Sequence, residues 1–161
     1  MAKFEFEGID DYIAQLSKLY DNTEEIMGKA IYDGAGVVMK YVIQGIDSIT
    51  VDNSFGTSEK PCNGPSSYEK EGLYRSVGIA KARHDGSFYN VKIGFDGYDE
   101  LKTKKWPNGR PHSMIARSIQ SGTSWMRKQP FMRTAERAAK MPCEAAMQLA
   151  IDREIAKRME Q

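Results

Sequence analysis

Apolar positions along the chain fall into three regimes, and their spacing predicts the elements. Phe4 to Glu7 alternate with period two, which predicts a short edge strand with Phe4 and Phe6 on one face. From Ile9 the period changes: Ile9, Tyr12, Ile13, Leu16, Leu19 and Tyr20 line one face of a short amphipathic helix. Asp21-Asn22-Thr23 interrupts it, with Asn22 placed to cap a second helix and Glu25 three residues on, in a capping-box relation. Ile26, Ala30, Ile31, Gly34, Val37, Val38, Tyr41, Val42, Gly45, Ile46 and Ile49 then hold the helical period over a length on the order of 40 Å. Gly28, Gly34, Gly36 and Gly45 are poor helix formers, and their place in this run points to something packed closely across them.

The helical period stops at Asp47. From there to Lys70 small polar residues dominate, which reads as a long exposed and mobile loop, flexible over about 48–70, with Phe55 among its few apolar groups. Leu73 to Ala82 and Phe88 to Phe95 read as strands around His84-Asp85-Gly86-Ser87, and Asp-Gly between alternating runs signals an antiparallel hairpin. Ser113 to Ser121 is a short helix candidate, followed by a Gly122-Thr123 turn and by Pro130, well suited to a helix's first turn. A last amphipathic face runs from Phe131 to Met159, with Pro142 expected to kink or divide it. The expectation is an α+β chain, one domain over residues 1–161: two N-terminal helices, one of them long, a small antiparallel sheet, and a C-terminal helix kinked near a proline.

Composition narrows the function classes. The chain carries 23 basic and 22 acidic side chains, so its overall charge demands neither nucleic acid nor an anionic membrane. No run approaches the roughly 20 apolar residues of a membrane span, and the first residues lack the apolar core of a secretory signal. Cys62 and Cys143 stand far apart with no CxxC pairing and read as two reduced thiols. His84 and His112, the two histidines, read as surface residues. No zinc-protease, serine-hydrolase or phosphate-loop motif is present, so no catalytic, metal or cofactor residue is assigned and the chain is expected not to be an enzyme. One patch departs from this: Lys102, Lys104, Lys105 and Arg110 surround Trp106, a cation and aromatic mix that suits nucleic acid, although Asp96, Asp99 and Glu100 precede it.

Two ordered pieces carry a family resemblance. Ala116, Gln120, Gly122 and Thr123, followed by Pro130-Phe131-Met132-Arg133-Thr134-Ala135, resemble a pattern of the tail-completion, or head-tail joining, proteins of long-tailed bacteriophages. Gln120 stands where that family commonly has an acidic residue, and Thr134 where it commonly has a second proline. Upstream, Gly72-Leu73-Tyr74-Arg75-Ser76-Val77 is similar to the family's entry to its first strand. The resemblance implies a structural virion protein of a phage or prophage, without cofactor. It would assemble as a ring of copies of itself, a hexamer included, at the head-tail junction after assembly in the bacterial cytoplasm. Its implied partners are tail-tube and head-connector proteins and non-specific DNA in the channel. On that reading Phe55, Trp106, Thr123, Trp125, Met126 and Phe131 are candidate assembly contacts, and Lys102, Lys104, Lys105 and Arg110 are candidate channel or DNA-facing groups. The alternative from the residues alone is a small nucleic-acid-binding protein using the Lys102 to Arg110 loop.

Overall fold

In the computed structural model, residues 17, 19–85 and 88–159 are described. The strand expected at Phe4 to Glu7, and the helix expected from Ile9 up to its final residues, lie outside them. The fold is α+β and mostly helical. Helix α1, Thr23–Asp47, has 25 residues and is about 37 Å long. Asn22 takes the cap position, but the expected capping box does not form: its side chain makes no capping hydrogen bond. Glu25, the other half of that box, is drawn instead to Lys29 at 2.7 Å and to Arg158 at 3.1 Å.

Those cations belong to the main packing of the molecule. Helix α4, Phe131–Met159, lies along α1, and the two make its most extensive contact. Ile26, Ala30, Gly34, Ala35, Val42 and Ile46 bury one stripe of α1, and Phe131, Ala135, Ala139 and Ala150 bury one stripe of α4. Close approach across glycine holds at Gly34, where a Cβ would stand 2.6 Å from Met147 Cγ, and at Gly45 against Phe131. It does not hold at Gly28 or Gly36, which face open space. Pro142 removes one backbone bond without dividing α4; Ala138, whose carbonyl it leaves free, is exposed, so water can take the place of the lost donor.

At the far end of the pair, Lys29 meets Glu154 at 2.9 Å and Arg158 meets Glu154 at 2.5 Å, which closes a four-residue clasp with Glu25. The Arg158 hydrogen bond, followed by that of Lys29, lowers the Glu154 carboxyl from its ordinary 4.5 to about 2. A depressed carboxylate stabilises the fold above its ordinary pKa, and that contribution is lost as pH falls toward the folded value. Thermal stability is therefore expected to drop between about pH 4.5 and 2 more steeply in the wild type than in Glu154→Gln. Parallel melting curves for the two proteins over that range would remove the clasp from the account.

The segment expected as a strand from Leu73 begins instead as helix α2, Ser67–Ser76. Ser66 caps it: its hydroxyl accepts from Glu69 N, while its own N–H donates to Glu69 Oε2 at 2.9 Å. This capping box, which satisfies two orphan donors, fixes a helix start inside what composition reads as loop. Leu73 then points into the core with no exposed surface.

Strand β1, Val77–Ile79, pairs antiparallel with β4, Ile93–Phe95; β2, Arg83–Asp85, pairs with β3, Phe88–Asn90. The expected hairpin is present, in two short ladders. Three residues, Ala80 to Ala82, face two, Val91 and Lys92, so one strand carries an extra residue in the manner of a bulge. Val77, Ile93 and Phe95 pack on the core, with Phe95 set edge-on to Phe131. Helix α3, His112–Ser121, buries Ile115, Ala116 and Ile119 in the same cluster.

Candidate assembly surface

Residues 48–66 have no helix or named strand and are mostly exposed, yet several of their polar side chains, Ser48, Asp52 and Thr57 among them, bond backbone. Asp52 accepts from Ser54 N and Oγ with one oxygen and from Asn63 N at 2.7 Å with the other. Those bonds, that from Asn63 foremost, hold its carboxyl down at about 2. Gln129 joins two distant segments: its Oε1 accepts from Thr50 N at 2.8 Å, and its Nε2 donates to the carbonyls of Thr50 and Asn63. Cys62 N donates to Trp125 O and Arg127 N donates to Cys62 O, both at 2.9 Å. The loop and the 122–129 segment thus form one braced end of the molecule.

Two of the six candidate contacts stand free there. Phe55 is 100% exposed and Trp125 57% exposed. Gly56 presses against the Trp125 carbonyl, where a Cβ would lie 1.8 Å from the oxygen, so Phe55 and Trp125 share this end. Met126 and Phe131 are corrections: both are buried in the core cluster and are not available to a partner. For Met126 the cause is the turn in which Thr123 and Met126 bond each other's backbone, which turns Trp125 out and Met126 in. Phe131 opens α4 and lies against Phe95. Thr123 is half-buried, and among the described residues its buried hydroxyl has no hydrogen-bond partner.

Trp106 is half-buried in a second loop, closed by reciprocal backbone bonds with Thr103 and with Lys105 Nζ 5.9 Å from its ring centre. Lys102, Lys104 and Lys105 are exposed. Arg110 is not one of them. Its Nε donates to Asp99 Oδ2 at 3.1 Å, its backbone N–H to Asp99 Oδ1 at 2.7 Å, and its guanidinium meets Glu69 Oε1 at 2.8 Å. Asp99 is a buried carboxylate, so Arg110 ties the base of the loop to α2 instead of facing DNA. Gly109, at φ +88, allows the turn: a Cβ there would lie 1.8 Å from the Asp99 carbonyl.

His84 stacks on Tyr89 with ring centres 4.3 Å apart and lies 3.6 Å from Glu24. His112 packs against Gly72, and its Nδ1 is buried without a hydrogen-bond partner among the described residues. Cys62 and Cys143 are free thiols. Among the described residues no group of three or more His, Cys, Asp or Glu is placed to hold a metal ion, and no helix is long and apolar enough to cross a membrane. The bracing residues Asp52, Glu69 and Gln129 were not singled out by sequence reasoning, and Asp99 stood out only as an acid preceding the basic patch. For Glu69 a signal was available in the Ser66-to-Glu69 spacing. Comparison of the chain with known families, characterised proteins and solved structures gives no match.

Proposed function

We propose that this chain is a structural subunit of a phage or prophage particle, one that completes the tail or joins it to the head by ring assembly around the path of the DNA. The observation that carries the reading is the pair of exposed aromatic side chains, Phe55 and Trp125, on segments braced by hydrogen bonds. Large apolar groups held in water on a pre-ordered surface suit protein contact, where a few aromatic anchors supply most of the binding energy. Residues of both resemblance-bearing pieces, Leu73 and Ala116, Phe131, Ala135, meet in one core, which supports treating those pieces as architecture and the exposed aromatics as contact. Tail-tube and connector proteins are the partners on this reading. Lys102, Lys104 and Lys105 are the groups that would face DNA.

Capture on immobilised tail-tube and connector protein from the same phage or prophage tests it. The wild-type chain is expected to bind at least one of them, and Phe55→Ala/Trp125→Ala to lose binding tenfold or more with an unchanged melting temperature. Failure of the wild type to bind either would remove the proposal.

A further inference from the structure

The solvent side of helix α3 carries polar groups that the rest of the molecule does not use. An open groove of about 690 Å³ runs along it from Pro111 to Thr123, lined among others by Ser113, Arg117, Ser118 and Ser121. Ser113, Arg117 and Ser121 follow one another at i, i+4 and i+8, so they form one row down the helix, about 12 Å from first to last. Hydroxyls in and beside the other helices bond a carbonyl three or four residues back, as those of Ser48, Ser76 and Thr134 do. Ser113, Ser118 and Ser121 make no such bond among the described residues, and Arg117 has neither a hydrogen bond nor an ion pair there. The groove therefore offers free hydroxyls around a free guanidinium.

None of the residues lining the groove is acidic. The chain has no Asp or Glu from Leu101 to Ala135. Its cations before α3 are offset: Arg110 by Asp99 and Glu69, and Lys102, Lys104 and Lys105 by exposed Glu71, Asp96 and Glu100. Those in α3 and just after it are not. Arg127 and Lys128 are exposed and, like Arg117, form no ion pair among the described residues. Lys128 stands at the groove's end, since a Cβ on Gly122 would lie 3.0 Å from Lys128 Cβ. Glu59, on the loop that pairs with this segment, has Lys60 beside it.

We infer that this groove binds the sugar-phosphate backbone of DNA, with Arg117 and Lys128 paired to phosphates and the serine hydroxyls donating to phosphate oxygens along the row. The inference deepens the reading above, in which DNA passes the assembled subunits, and rests on it for the choice of duplex DNA. A lone anion would use one cation, whereas cations spaced along a row of hydroxyls fit a repeating anion. The row of about 12 Å matches the rise of roughly three to four nucleotides of one strand, at about 3.4 Å each. Met114 is the one large apolar side chain among the residues that line the groove, which leaves a protein segment little to anchor on. Surfaces that bind DNA are more polar and more positively charged than those that bind protein. Hydroxyl and guanidinium contacts to phosphate set register and read no sequence.

Fluorescence anisotropy of a labelled duplex, titrated with the full chain at several salt concentrations, tests it. The wild type is expected to bind irrespective of base sequence, with log K falling against log salt by about 0.9 for each phosphate neutralised. Arg117→Ala is expected to lose about fivefold or more in affinity and to reduce that slope by about 1, and Arg117→Lys to restore the slope. Ser113→Ala/Ser121→Ala is expected to lose about twofold or more at an unchanged slope, because a hydroxyl releases no counterion. Circular dichroism and melting temperature check that these exposed substitutions leave the fold intact. Wild-type affinity and slope in both the Arg117→Ala and the serine variants, with loss confined to Lys104→Ala/Lys105→Ala, would overturn the site and return DNA contact to the lysine turn. Polyglutamate displacing the duplex at equal charge concentration would overturn it in favour of an acidic protein partner. A wild type that does not bind the duplex even at low salt overturns it as well, while capture on tail-tube and connector protein, which involves no DNA, still decides the tail-joining role.

Discussion

Arg110→Ala is expected to destabilise the protein by about 3–5 kcal/mol in denaturant titrations, the range for breaking a buried ion pair from one side. The Asp99 side chain is 1% exposed, and both of its oxygens bond Arg110, one to the side chain and one to the backbone N–H. Removing the guanidinium leaves a buried carboxylate with only backbone donation, and it also takes the cation from Glu69 Oε1, while Glu69 Oε2 keeps its bond from Ser66 N. Small domains have only about 5–15 kcal/mol of net stability, so the loss is a large share. Lys105→Ala, on the same loop but exposed, is expected to stay within roughly 0.5 kcal/mol of wild type. Arg110→Lys keeps the charge but loses the planar fork and should fall between them. Equal stability of the Arg110→Ala and Lys105→Ala proteins would return Arg110 to the surface cations.

Leu73→Ala is expected to cost about 2–5 kcal/mol, because the side chain is fully buried among residues of α1 and α3 and the cavity it leaves has rigid walls. Arg75→Ala is the informative comparison. A strand starting at Leu73 would put Leu73 and Arg75 on one face. In helix α2, residues two apart diverge, and Arg75 is exposed. A change within roughly 0.5 kcal/mol is expected for Arg75→Ala. Comparable losses at both positions would favour the strand.

These two positions also mark where the sequence stops being readable. Helices α1, α3 and α4 were legible because buried groups such as Ile26, Ala30 and Ile46 recur at helical spacing over several turns. The hairpin was legible from Asp85-Gly86 between alternating runs. Helix α2 was not, since among its ten residues only Gly72 and Leu73 are buried and no apolar period can form; its start is written in the Ser66–Glu69 cap instead. The surface divides the same way. Phe55 and Trp125 stand out as apolar groups in polar segments, but Met126, next to Trp125, has the opposite fate, set by a turn and by Cys62 across from it. Arg110 carries no mark of its pairing with Asp99 eleven residues away, nor Gln129 of its bonds to Thr50, 79 residues away.

The packing of α1 against α4 has a temporal consequence. The principal contact of the molecule joins its first described long helix to its last, across more than half the chain. Closing so long a loop must precede the gain from burial, which slows folding. A chain emerging from the ribosome exposes the apolar stripe of α1 from Ile26 to Ile46 early and can cover it only once α4 follows. Throughout that interval the nascent protein presents a sticky helix to its surroundings, so its yield in the cell should depend on chaperone supply.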